Sequence, residues 1–246
     1  MELIALGTGR GSPSADRFCT ANLIACGGSY YLFDAGAPVA DLMLRYGIPI
    51  EKLKAAFLSH RHCDHVIGMV HLLILCDWRF KEADLDAYYP EESTLAALRQ
   101  FIECSDGPID ETRMRLHTYG PGVVYEDENI KVTAVSTDHM NGEHPSYAFV
   151  IEGDGKRLII AGDLHHHDPV DFPAIAETEP SDAVICELAH FQMEALMPHL
   201  RRCQCKRFLF NHYKEPWGIE QIQNLIADNP LDYSVYMLRD GDRIIL

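Results

Sequence analysis

Three histidines and one aspartate fall within the six positions of His60-Arg61-His62-Cys63-Asp64-His65. Imidazoles and a carboxylate held that close together are costly unless a positive charge uses them. Nitrogen and oxygen donors at this spacing suit divalent metal ions, and a pair of ions would use all four groups. The apolar run Ala55-Ala56-Phe57-Leu58 leads into the cluster and reads as a buried strand. A second run, from Val66 to Leu75, leads away and reads as a helix. The cluster is therefore expected on the loop at the strand's carboxyl end.

Further ligands must reach the same rim, so each should follow a strand directly. His139 follows Ile130–Val135, Asp163 follows Arg157–Ala161, and His212 follows Phe208–Phe210. Gly162 leaves room for the backbone to approach a metal closely. His144 competes with His139, which is preferred because it stands nearer the strand end. The run His165-His166-His167 could add a ligand or a substrate contact, or be a polar loop; consecutive residues cannot all face one site. Of the eight cysteines, Cys19, Cys26, Cys76 and Cys186 read as reduced core residues, and Cys63 as a spacer. Cys203-Gln204-Cys205 is only a weak metal signal.

The elements that must position these residues follow from the apolar patterning. Strands are expected at Leu3–Leu6, Asn22–Cys26 and Tyr30–Phe33, the last two forming a hairpin at Gly27-Gly28. Helical spacing covers Val39–Tyr46 and Ser93–Glu103, with Leu85–Tyr89 a strand between them. Strands recur at Gly122–Tyr125, Ile130–Val135, Tyr147–Ile151, Arg157–Ala161, Ala183–Cys186 and Phe208–Phe210. Helices are expected at Gln192–Cys203, bent or ended by Pro198, and at Ile219–Ala227. A closing hairpin is expected between Val235–Leu238 and Arg243–Leu246. Strands in two groups with helices interspersed fit two sheets packed face to face with helices outside. The Gly7–Ser14 loop lacks the Lys and Ser/Thr of a P-loop and the dinucleotide fingerprint, so it reads as a structural connection.

The 246 residues suit one large domain, residues 1–246, and with 47% hydrophobic content a core needs no disulfides. A formal charge of −16 disfavours nucleic acid and anionic membranes as partners and favours a small substrate. No apolar run spans a bilayer, and Met1-Glu2-Leu3-Ile4-Ala5 lacks the marks of a signal peptide, so the cytoplasm is the expected location.

The ordered set His60-x-His62-x-Asp64-His65, a later histidine, Ala161-Gly162-Asp163 and Asn211-His212-Tyr213 resembles the metallo-β-lactamase superfamily. The resemblance implies an α/β fold, a four-layer αββα sandwich of two mixed sheets with helices outside. It implies a first metal on His60, His62 and His139, a second on Asp64, His65 and His212, and Asp163 bridging them. Zinc is the expected pair, and manganese or iron suit the same ligands. The redox-active di-iron branch has a glutamate where His62 stands, which argues against oxygen reduction.

Leu6-Gly7-Thr8-Gly9 with Ser12-Pro13, and Asp182-Ala183-Val184-Ile185-Cys186-Glu187, are similar to ribonuclease Z and its small phosphodiesterase relatives. The spacing of His139 to Tyr147 resembles that branch too. There a histidine some twenty positions before the last ligand sits near the scissile phosphate, which implies a catalytic His190 beside Asp64. The expected function is a metal-dependent phosphodiesterase acting on a small or cyclic phosphodiester through a metal-bridging hydroxide. Ribonuclease Z-like RNA 3′ processing competes with it, but no glycine-rich arm of that enzyme's type is evident between Asp163 and Glu187. A lactonase or ester/thioester hydrolase would use the same metals, and a non-catalytic metal-binding sensor would keep them without turnover. Relatives often form homodimers, but no self-complementary patch is legible.

Overall fold

The computed structural model describes residues 1–12 and 14–246. Pro13, half of the Ser12-Pro13 similarity, lies outside the described residues. The chain divides into two compact units, Met1–Gly120 with Asp240–Ile245, and Pro121–Arg239 with Leu246. Each contains one seven-stranded mixed sheet and its own helices.

The strands of the first unit are β1 (Glu2–Gly7), β2 (Ala21–Cys26), β3 (Ser29–Phe33), β4 (Leu53–Phe57), β5 (Leu85–Tyr89), β6 (Met114–Thr118) and the chain's last strand, β14 (Arg243–Ile245). β14 pairs antiparallel with β1, β1 with β2, and β2 with β3. Gly27 and Gly28, at φ 59° and 83°, supply the left-handed pair that the two-residue β2–β3 hairpin requires. From β3 to β6 the pairing is parallel, with crossovers through α1 (Val39–Arg45), α2 (Cys63–Val66), α3 (Gly68–Trp78) and α4 (Glu92–Ser105). The helices bury Leu42, Met43, Met69, Leu72, Leu73, Leu95 and Ile102 with Ile4, Leu6, Leu32 and Ala56 of the sheet. Residues of the opposite alternation, including Leu3, Ile24, Tyr31, Phe33 and Phe57, are buried as well. Burial on both faces is why β1 and β4 read as unbroken apolar runs.

In the second unit the strands lie in chain order across the sheet: β7 (Gly122–Glu126), β8 (Lys131–Thr137), β9 (Ser146–Gly153), β10 (Lys156–Ile160), β11 (Ala183–Leu188), β12 (Arg207–Tyr213) and β13 (Ser234–Met237). β9 is antiparallel to both β8 and β10, and β10 to β13 are parallel. β8, β10, β11 and β12 therefore run the same way, and their carboxyl ends share one edge, where α/β sheets bind ligands. Helices α5 (Ala174–Thr178), α6 (Met193–Leu200) and α7 (Trp217–Asp228) cover one face of this sheet. Pro198 sits inside α6, which ends two residues later.

The structure departs from the sequence reading in four places. Cys63, Asp64 and His65 belong to a helical turn rather than a loop, because extended His62 (φ −61°, ψ 143°) starts α2 and its carbonyl accepts the N–H of His65. α4 begins at Glu92 and runs to Ser105, one residue earlier and two later than the helical spacing of Ser93–Glu103, with Glu91 preceding it. β6, Met-Arg-Leu-His-Thr, was not legible as a strand. The closing hairpin does not form, since β13 pairs with β12 and β14 with β1. Asp240 accounts for that separation: its carboxylate accepts the N–H and hydroxyl of Thr8 and the N–H of Phe18, at 2.6–2.8 Å. The glycine loop is tightly packed, as a Cβ at Gly7 would lie 2.0 Å from the Cys19 carbonyl oxygen. Among the described residues, no helix is long and apolar enough to cross a membrane.

Candidate metal centre

In the first unit, β3 and β4 end side by side and deliver Asp34 and the histidine cluster. Asp34 lies at φ 60°, a conformation that a non-glycine residue adopts at a cost. Its buried carboxylate accepts the N–H and hydroxyl of Ser59 at 2.8 and 3.0 Å, and contacts His65 Nδ1 at 2.9 Å. That contact leaves Nε2 of His65 for a ligand, and Asp64 Oδ2 lies 3.5 Å from it. Ser59 Oγ meets His60 Nδ1 at 3.0 Å, and His60 Nε2 faces His62 Nδ1 at 3.0 Å. Nitrogens bound to zinc at 2.0–2.1 Å in a tetrahedral site lie about 3.3 Å apart, so these atoms stand close to ligand spacing. Gly11 abuts Asp64, since a Cβ there would come 3.0 Å from Oδ2.

In the second unit, Asp163 follows β10 after Gly162 (φ 68°) and is buried. Its Oδ2 is 3.8 Å from His139 Nε2, and its Oδ1 is 3.6 Å from His212 Nδ1. Such separations are too long for hydrogen bonds but suit groups that share an ion. His139 is fixed through Nδ1 by the carbonyl of Leu164 at 2.9 Å. His212 sits at φ 45° where β12 slips register against β11, between the Cys186 and Leu188 pairings. The bulge redirects the side chain from the strand's regular alternation. His190 follows β11, and its Nδ1 lies 2.7 Å from the buried carboxylate of Glu187. Glu187 also accepts the N–H groups of Leu164, Ala189 and His190, at 2.8–3.1 Å. One carboxylate thus fixes the loop after Asp163 and the ring of His190.

Within the second unit, Asp163, His190 and His212 present donor atoms within 4.8 Å of one another, as do His139, His166 and His190. His139 joins one of these sets and His144 joins neither. Of the triple run, only His166 joins a set.

The donors fit transition-metal ions. Buried imidazoles whose second nitrogen is held by a carboxylate, carbonyl or hydroxyl are oriented as metal ligands are. Sequence reasoning missed Asp34 and Ser59, and took Glu187 only as a family marker; the unusual backbone at Asp34 leaves no sequence signal. Asp34→Asn keeps the shape and removes the charge behind His65. Zinc affinity measured by competition with a chromophoric chelator should fall by about 10–100-fold. An unchanged affinity would remove Asp34 from the centre.

A family profile described as Anti-Pycsar protein Apyc1 matches residues 1–222. Ribonuclease Z of Anoxybacillus flavithermus is 33% identical over 172 residues, 67% of this chain and 52% of that protein. Ribonuclease Z of Listeria innocua is 33% identical over 145 residues, 56% of this chain and 46% of that protein. The chain thus spans about half the length of the curated relatives it matches. Among solved structures, the metallo-β-lactamase fold protein YhfI from Bacillus subtilis superposes with a TM-score of 0.80 at 18% identity, over 99% of this chain and 98% of that one. The short form of human tRNase Z gives 0.77 at 19% identity, over 100% and 99%. The α/β fold expected from the sequence, two mixed sheets with helices outside, is therefore the metallo-β-lactamase fold. By motif, fold and profile together, the chain belongs to the Anti-Pycsar protein Apyc1 family, in the ribonuclease Z and phosphodiesterase branch of the metallo-β-lactamase superfamily.

Proposed function

We propose that the protein is a metal-dependent hydrolase that cleaves a small or cyclic phosphodiester at a binuclear centre. The observation that carries this reading is Asp163, a buried carboxylate whose two oxygens face different imidazoles, His139 and His212. In this reading His60, His62 and His139 hold one ion, Asp64, His65 and His212 hold the other, and Asp163 is shared. Two divalent cations, zinc foremost, supply Lewis acidity and an activated water when bound. Asp64 orients the attacking water. His190, its Nδ1 proton held by Glu187, gives its Nε2 proton to the departing oxygen. The charge of −16 supports a small substrate over a polyanion. A cytoplasmic location fits the eight free cysteines.

Ribonuclease Z-like RNA processing is the second reading, favoured by the 33% identity to ribonuclease Z. The test begins with metal analysis of protein purified without added metal. The same sample is then assayed on bis(p-nitrophenyl) phosphate, cyclic phosphodiesters, a lactone panel and precursor tRNA. Two ions per chain and turnover of the small phosphodiesters are expected. Preference for precursor tRNA would support the second reading. Turnover of lactones alone, or a loaded protein inert on every substrate, would overturn both.

A further inference from the structure

The connection from β10 to β11 carries a carboxylate with no part in the centre as described, Asp171. It is half-buried and stands three residues before α5. Its neighbour Phe172 is buried in the apolar core of the second unit, and the N–H of Phe172 is bonded to the Pro169 carbonyl at 3.0 Å. Asp171 is thereby anchored to the core rather than carried on a free loop. Its carboxylate reaches two separate segments. Oδ2 accepts the N–H of Asp138 at 2.6 Å. Oδ1 and Oδ2 share the N–H of His165, at 2.9 and 3.1 Å. Asp138 directly precedes His139, and His165 stands two residues after Asp163. One side chain therefore ties the segment that carries His139 to the segment that carries Asp163.

From this juxtaposition we infer that Asp171 is a positioning residue for the metal centre: it fixes His139 relative to Asp163 and so sets the affinity for the ion that His139 holds. The inference rests on the binuclear reading. The separation at stake is the 3.8 Å between His139 Nε2 and Asp163 Oδ2. The bond from the Leu164 carbonyl to His139 Nδ1, at 2.9 Å, orients the ring. It does not hold the backbone that carries the ring, and the Asp171 bond to the Asp138 N–H does. Hydrogen bonds from N–H groups to an ionised carboxylate are short and strong, so this tie is stiff. Metal affinity depends on such outer groups because ligands must be held to fractions of an ångström. Asp163 has an anchor of its own, since Glu187 accepts the N–H of Leu164 at 2.8 Å. Loss of Asp171 should therefore free His139 far more than Asp163.

The test measures zinc affinity by competition with a chromophoric chelator in two backgrounds. His65→Ala protein keeps the ion assigned to His60, His62 and His139. His62→Ala protein keeps the ion assigned to Asp64, His65 and His212. Adding Asp171→Ala should weaken zinc about 10-fold or more in the first background and leave it unchanged in the second. Should the alanine variants melt below the assay temperature, Asp171→Asn carries the same comparison, because its amide offers an N–H where a backbone N–H needs an acceptor. A merely structural Asp171 would weaken both ions alike, and that result would overturn the inference. An unchanged affinity in both backgrounds would overturn it too, and either outcome leaves the binuclear reading intact. Wild-type protein that binds a single zinc ion would instead overturn the binuclear reading, and the role of Asp171 with it.

Discussion

Asp163→Asn should lose one of the two ions of the proposed centre and about 10³-fold in turnover, equivalent to roughly 4 kcal/mol of transition-state stabilisation. The substitution preserves size and shape at a buried position, so the fold should survive, as a thermal melt would verify. Its effect is confined to charge and donor type. The carboxylate offers one oxygen toward His212 and the other toward His139. An amide keeps an oxygen on one side only and turns an N–H group toward the other, where it repels a cation. Metal content by mass spectrometry and turnover of bis(p-nitrophenyl) phosphate on the same sample are the readouts. Two ions held with wild-type affinity would mean that Asp163 bridges nothing.

The candidate ligands were legible because their chemistry is in their type and their placement is in the strand pattern. An apolar run ending in His, Asp or Asn-His marks the carboxyl end of a strand, and the same-direction strands β8, β10, β11 and β12 put those ends on one edge. The supporting groups were hidden because their roles depend on backbone shape. Asp34 acts on His65 from 31 positions away, through a left-handed conformation that no local pattern announces. The bulge at His212 is likewise set by pairing with β11. The triple histidine run shows the limit most directly. Residue type could not say which ring meets other donors, and in the fold it is His166, beside His139 and His190.

The fold divides along similar lines. Buried strands such as Ala183–Leu188 declare themselves as continuous apolar runs. β6 does not, because Arg115 and His117 stand in it. They are tolerated since Asp86 on the neighbouring strand pairs with both, at 2.9 and 2.6 Å. At the C-terminus, Asp-Gly-Asp between two apolar runs is a sound local hairpin signal. Asp240 spends its carboxylate on Thr8 and Phe18 instead, more than 220 positions away, and β14 joins β1. Local turn chemistry lost there to contacts that only the finished fold supplies.

His190→Gln is the variant that separates proton donation from metal binding. Glutamine can still hydrogen-bond but cannot deliver a proton. A positioned general acid contributes about 10²–10⁴-fold when the leaving group is a poor one. Turnover of a phosphodiester with an alkoxide leaving group should fall by that amount. A p-nitrophenolate leaves without protonation, so hydrolysis of bis(p-nitrophenyl) phosphate should fall far less, and metal content should stay at two. The contrast between substrates is the decisive quantity, because lost binding or disturbed packing would lower both rates alike. His190 also lies among Asp163 and His212 in a set of donors able to hold an ion. Loss of an ion from the variant would therefore make His190 a resident ligand. Retained metal with a selective loss on the alkoxide substrate makes it the acid, with Glu187 as the group that fixes its ring.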